Sequence, residues 1–220
     1  MSKPILYYVY DPMCSWCWGY RDSWLKLSAK LAKLSSELSS EHSLEIRYQL
    51  GGLAPDSDVV MPMDMQQTLQ NIWRNIHAQL GTQFNFDFWT ECKPQRSTYP
   101  ACRACLIARN EGKEKEMLFA IQQGYYLQAK NPSLTDVLAE LAEGIGFDKA
   151  WFKQQLHDDA VNKQLFEEIN TSRQLPIQGF PSLVLSIDGR NVPLALEYLD
   201  WQKTYSKITE ILQSTSGNNE

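Results

Sequence analysis

The groups in this 220-residue chain best suited to chemistry are thiols, and four of its five cysteines fall into two pairs of Cys-x-x-Cys spacing. Cys14 and Cys17 lie in DPMCSWCWGY, residues 11–20, and Cys102 and Cys105 in STYPACRACLIA, residues 97–108. Two thiols so spaced can exchange a disulfide, share a metal, or sit unreactive in a core. Disulfide exchange needs a thiolate as nucleophile, and a helix N-terminus favours one through its unsatisfied N–H groups and the positive end of its dipole. Cys14 sits where such a helix would begin and Cys17 one turn further in. That arrangement suits Cys14 to attack and Cys17 to resolve the mixed disulfide. The metal reading would set Cys14, Cys17, Cys102 and Cys105 round one structural zinc, but the pairs are much further apart in sequence than those of a zinc ribbon. For Cys102 and Cys105 the alternatives are core packing, the commoner fate of a free cysteine, and relay of electrons to Cys14. Arg103 between them is either structural or solvated, or acts on a nearby thiol or an anionic substrate group. Cys92 is a lone thiol. His42, His77 and His157 show no ligand spacing with the cysteines, and Met61, Met63 and Met65 read as an apolar rim or loop packing. Neither a Gly-rich phosphate loop nor a Ser/His/Asp arrangement is evident.

The elements that must position Cys14 show in the periodicity. ILYYVY, residues 5–10, reads as a buried strand stopped by Asp11-Pro12. From Ser15 to about Leu38, the residues Trp24, Leu27, Leu31, Leu34 and Leu38 recur at helical steps. Cys14 therefore falls between strand and helix. Residues 43–50 alternate apolar and polar as a half-buried strand does, and GGLAP at 51–55 breaks them. Helical stripes then occupy 64–80, 100–110, 113–128, 133–144, 148–156 and 159–173; Thr98 or Tyr99 with Pro100 opens the second, and Ser133 to Asp136 opens the fourth. FNFDFW at 84–89 alternates like an extended connector. Strand character returns in SLVLSI, 182–187, and VPLAL, 192–196, around Asp188-Gly189, a hairpin signal. An amphipathic stretch over about 198–213 and a fraying tail follow. QGFPSLV at 178–184 puts Pro181 where a turn enters a strand.

DPMCSWCWGY followed far downstream by GFPSLV resembles the thioredoxin superfamily, in particular its DsbA-like branch with a helical insertion, and within that the FrnE-like, predicted disulfide isomerase group. The likeness runs from residue 5 to about 212. It implies an α/β, thioredoxin-like fold: a central mixed sheet with flanking helices carrying a large all-helical insertion. Residues 1–62 and 171–220 would form a discontinuous thioredoxin-like domain and residues 63–170 the insertion. The resemblance implies catalytic roles for Cys14 and Cys17, with Pro181 in cis beside Cys14, and sets Ser15, Trp16 and the Phe180 backbone against an extended substrate. STYPACRA, 97–104, resembles the segment by which the insertion returns over the active site, which makes Cys102, Cys105 and Arg103 auxiliary candidates. The implied function is a thiol–disulfide oxidoreductase or protein disulfide isomerase working through a mixed disulfide at Cys14. Its only redox group would be the cysteine pair, with glutathione a candidate co-substrate. Ser15-Trp16 differs from the Gly-Pro or Pro-His of the best-known members, so the direction of electron flow does not carry over. Kappa-class glutathione transferases and 2-hydroxychromene-2-carboxylate isomerases are similar in architecture, but they carry serine at the position of Cys14 and no resolving cysteine.

Composition narrows the partners. With 43% hydrophobic and 21% charged residues the chain is ordinary globular stock that can bury a core. Lys and Arg number 21 against 26 Asp and Glu, a net charge of −5 with no basic stripe, so nucleic acid is not an expected partner. No apolar run approaches the roughly 18 residues of a membrane span, and MSKPILYYVY lacks a signal-peptide pattern. The expectation is a cytoplasmic protein acting on thiol- or disulfide-bearing proteins or small thiols. A cytosolic poise of about −220 to −320 mV favours dithiols, which suits reduction or isomerisation better than net oxidation.

Overall fold

The computed structural model describes residues 3–37 and 43–216; His42 and the last residues of the tail lie outside that range. Strand β1 (Ile5–Tyr10) pairs in parallel with β2 (Glu45–Leu50) and antiparallel with β3 (Ser182–Ile187), which pairs antiparallel with β4 (Arg190–Leu194). The sheet order is β2-β1-β3-β4. The two central strands are runs of aliphatic and aromatic residues because both their faces are covered. Helix α1 (Ser15–Glu37) connects β1 to β2 and buries Trp24, Leu27 and Leu31. Tyr8 of β1 stacks on Trp24 at 4.2 Å, and the Trp24 indole donates to the Tyr48 hydroxyl at 2.8 Å.

Between β2 and β3 the chain is helical: α2 (Met63–Leu80), α3 (Phe88–Glu91), α4 (Tyr99–Asn110), α5 (Glu114–Leu127), α6 (Thr135–Gly144), α7 (Lys149–Gln155) and α8 (Asp159–Arg173). Helix α9 (Trp201–Ser216) returns after β4 to pack on α1. This is the mixed sheet with flanking helices and helical insertion that the resemblance implies. Asp148 and Asp158 cap α7 and α8 by accepting the Trp151 and Ala160 amides. Helix α4, rich in Ala and Cys, is buried along most of its length between α5 and α8. The block is tied to the sheet by Arg109 of α4, which donates to the Tyr48 carbonyl of β2 at 3.0 Å. Arg109 also pairs with Glu114 at 2.6 Å and with Glu168 at 2.9 Å. Glu168 in turn takes the Gln49 amide at 3.0 Å and the Leu50 N–H at 3.2 Å.

Three local expectations change. Residues 84–89 are not an extended connector. Asn85 accepts the Asp87 amide, the chain turns, and α3 follows, with Phe84, Phe86 and Phe88 gathered round Trp73 at 5.0, 5.7 and 6.0 Å. Strand β4 starts at Arg190 rather than Val192, because the two-residue turn at Asp188 (φ 49°) and Gly189 (φ 74°) forces pairing to resume at once, through exposed polar residues. Thr98 and Ser133 stand at helix starts but do not cap them. The Ser133 hydroxyl donates to the Ser97 carbonyl, and the Thr98 hydroxyl goes to Asp11.

Candidate active site

β1 delivers the chain to a tight turn at Asp11. The Asp11 carboxylate accepts the Met13 N–H at 2.8 Å, an Asx turn, and the Asp11 carbonyl accepts the Cys14 N–H at 3.1 Å. The Cys14 carbonyl takes the first intrahelical bond, from Trp18 N–H at 3.1 Å, so Cys14 is the N-cap of α1 and its sulfur stands at the helix N-terminus. It retains 8% exposure, whereas Cys17, one turn on, has none. The Cys14 thiol donates to the Phe180 carbonyl at 3.2 Å, and the next peptide bond, Phe180-Pro181, is cis. All five cysteines are free thiols.

Burial pushes the Cys17 thiol well above its ordinary range, and its hydrogen bond to Cys14 and the charge Cys14 can carry push the same way. The Asp11 backbone N–H is a smaller opposing influence. Beside this pair a groove of about 690 Å³ opens, lined by Trp16, Phe180, Pro181, Leu194, Leu196 and Tyr198 among others, none of its lining residues charged. Trp16 meets Tyr198 edge-on at 5.3 Å. Ser15 faces the other way. It is buried, and its hydroxyl accepts the Trp73 indole N–H from α2 at 2.9 Å.

The α4 residues approach from behind. Cys102 and Cys105 are both fully buried, and the Cys102 thiol points at the Asp11 carboxylate at 3.6 Å. Arg103 turns away from the thiols and grips Asp56 with a two-pronged contact at 2.6 and 2.9 Å, with Asn162 at 3.3 Å. Among the described residues no three of His, Cys, Asp and Glu gather as a metal would require. Cys14, Cys17, Cys102 and Cys105 therefore do not surround a common point, and the four-thiolate zinc reading has no geometry to stand on. Cys92 donates to the Ala129 carbonyl at 2.9 Å, remote from this pair in its contacts.

Asp11 is the site residue that the sequence pattern does not single out. Wholly buried, it accepts the Leu53 N–H and the Thr98 hydroxyl at 2.7 Å each, besides Met13 and Cys102. Desolvation raises its pKa, and those donors restrain the rise. An aspartate before a proline reads as an ordinary turn residue; only its place three residues ahead of Cys14 hints at more.

The adapter protein SpxH of Halalkalibacterium halodurans, a ClpXP adapter, is 24% identical over 193 residues, a match that takes in 84% of this chain and 60% of that protein. The chain thus spans about 60% of the length of that curated relative. Among solved structures, a provisionally assigned protein disulfide isomerase from Nitrosomonas europaea superposes with a TM-score of 0.78 at 22% identity, covering 97% of this chain and 99% of its own. The cytosolic disulfide reductase DsbM from Pseudomonas aeruginosa, solved also with glutathione, gives 0.71 at 24% identity, covering 94% and 99%. These are likenesses of fold. The model of the DSBA-like thioredoxin domain matches residues 5–200, nearly the whole chain, and the chain belongs to that family.

Proposed function

We propose that this protein is a thiol–disulfide oxidoreductase, a reductase or isomerase, whose redox group is the Cys14–Cys17 pair. The observation that carries the reading is the asymmetry of the two thiols at the start of α1. Cys14 keeps a small exposure and touches the loop before Pro181, whose residues line the groove, while Cys17 is sealed behind it. In the reducing direction the Cys14 thiolate attacks a substrate disulfide, forms the S–S bond of a mixed disulfide, and expels one substrate sulfur as thiolate. Cys17 then gives up its proton and attacks Cys14, forming the Cys14–Cys17 disulfide and releasing the second substrate thiolate. Two thiols, such as two glutathione molecules, return the pair to the dithiol.

The electrostatics order these steps. Burial holds the Cys17 proton in place, and while Cys14 is free its hydrogen bond and charge add to that hold; once Cys14 is bonded to substrate, both of these added influences vanish and the hold weakens. Asp11, the carboxylate whose field reaches Cys17, is the base we assign to that proton. The uncharged groove beside Cys14 supports a polypeptide substrate, with Trp16 and the Phe180 backbone against it. On this reading residues 63–170 are an insertion that backs the active site, and the fully buried Cys102 and Cys105 pack rather than relay electrons.

The test is equilibration of the purified protein in glutathione buffers, followed by tryptophan fluorescence and by mass. A reversible two-electron transition with a Cys14–Cys17 bond is expected. A potential of about −120 to −180 mV would mark an oxidant or isomerase, and one of about −270 mV a reductase. A Cys17→Ser variant should accumulate a mixed disulfide at Cys14. Full turnover by that variant would instead favour a glutathione transferase or isomerase chemistry that cycles no disulfide.

A further inference from the structure

Ser15 lies between the two redox cysteines, yet its side chain is engaged by the helical block. Trp73, fully buried in a ring of Phe84, Phe86, Phe88, Trp89, Tyr125 and Tyr126, has its indole N–H aimed at the Ser15 hydroxyl at 2.9 Å. A buried indole N–H needs a partner, and this one reaches past the ring cluster to the Cys-x-x-Cys segment. The Tyr126 hydroxyl donates to the Met13 carbonyl at 2.8 Å. Met13 C=O and Cys14 N–H belong to one peptide unit, and that N–H donates to the Asp11 carbonyl at 3.1 Å. Two buried donors, one from α2 and one from α5, thus reach the segment that carries Cys14.

We propose that Trp73, through the Ser15 hydroxyl, and Tyr126, through the Met13 carbonyl, are positioning residues for the redox pair: two buried hydrogen bonds from the helical block hold the Asp11–Ser15 segment in the geometry of the dithiol. The proposal rests on the oxidoreductase reading. Both bonds are made with both thiols free. Ser15 lies inside the segment that a Cys14–Cys17 bond would close, and its contact with Trp73 is made in the dithiol form. The helical block thereby favours the reduced form and sets the poise of a pair whose intervening residues are Ser15 and Trp16.

The experiment is a double-mutant cycle on the Cys14–Cys17 equilibrium with glutathione, measured for the full chain and for the Ser15→Ala, Trp73→Phe, Tyr126→Phe and Ser15→Ala/Trp73→Phe variants, with urea unfolding of each as a folding check. Each single variant should move the equilibrium toward the disulfide by roughly three- to tenfold, the scale of one lost hydrogen bond. The double variant should move it no further than Ser15→Ala alone, and Ser15→Thr, which keeps the hydroxyl, should restore the wild-type value. A residue with a merely structural role would lower the stability of both redox forms alike and leave this equilibrium in place. Unchanged equilibria, additive shifts in the Ser15–Trp73 cycle or shifts toward the dithiol overturn the proposal, and if Trp73→Phe does not fold, the shifts of Ser15→Ala and Tyr126→Phe read singly decide it. If the wild-type protein itself shows no Cys14–Cys17 transition, the oxidoreductase reading fails first and takes this inference with it.

Discussion

Gly51 follows β2 and donates its N–H to the Tyr10 carbonyl at 2.8 Å, at the point where β1 ends and the active-site turn begins. A Cβ there would fall 1.9 Å from Cε1, 2.1 Å from Cζ and 2.8 Å from Cδ1 of the Phe180 ring. Carbon atoms rest at about 3.5–4.0 Å, so Gly51→Ala requires the ring to retreat by roughly 1.6–2.1 Å. The ring belongs to the residue whose carbonyl meets the Cys14 thiol at 3.2 Å, so displacing it acts on the contact beside that thiol. Overpacking of this kind costs about 1–3 kcal/mol. For a chain of this size that is a fall in Tm of about 2–12 °C.

The overlap is between two named groups, so a cycle isolates it. Urea unfolding of the reduced protein should show Gly51→Ala destabilised, and Gly51→Ala/Phe180→Ala more stable than the sum of the single effects predicts, with a coupling of at least about 1 kcal/mol. The Phe180 carbonyl is backbone and survives Phe180→Ala. The rate of mixed-disulfide formation at Cys14 should therefore change in Gly51→Ala and return toward wild type in the double variant. Additivity within about 0.3–0.5 kcal/mol, or wild-type stability for Gly51→Ala, would refute the argument that an absent Cβ seats the loop beside Cys14.

Further outcomes follow from the buried charges and thiols. Because burial raises the Asp11 pKa in the fold, the folded chain binds that proton at a higher pH than the unfolded chain. The stability of wild type relative to Asp11→Asn should then rise as pH falls through the folded pKa toward the unfolded value of about 3.9, and level off below it; urea unfolding at stepped pH checks this, and a flat difference would count against it. Arg109→Met removes the cation that Glu114 and Glu168 share, each partly buried and left with neutral donors alone. Removing one partner of a buried pair costs about 3–5 kcal/mol, and partial exposure reduces this to about 2–3 kcal/mol, to be read from denaturation midpoints. Cys102→Ala and Cys105→Ala should each leave a two-electron glutathione transition with the Cys14–Cys17 mass signature. Loss of that transition would restore an electron relay.

The parts of this molecule that the sequence displays are those governed by short-range regularity. ILYYVY and SLVLSI are strands because apolar runs of that length are buried on both faces, and α1 begins at Ser15 as the stripe of Trp24, Leu27 and Leu31 requires. Cys14 at the helix start and Pro181 at the strand start are local facts too, and their meeting through Phe180 is what the resemblance implies. What escapes a linear reading is long-range. Thr98 looks like an N-cap, and its hydroxyl caps nothing because Asp11, 87 residues earlier, offers a buried carboxylate at 2.7 Å. Arg103 lies within a Cys-x-x-Cys and spends its guanidinium on Asp56. Ser15 sits beside the nucleophile, but its hydroxyl belongs to Trp73, 58 residues away. In each case a polar group is claimed by a partner that only tertiary packing supplies, since a buried donor or acceptor left unpaired costs more than a local motif gains. The pair itself is therefore written in residues 11–17, and the side chains that contact its turn in α2, α4 and α5, at distances along the chain that no local pattern spans.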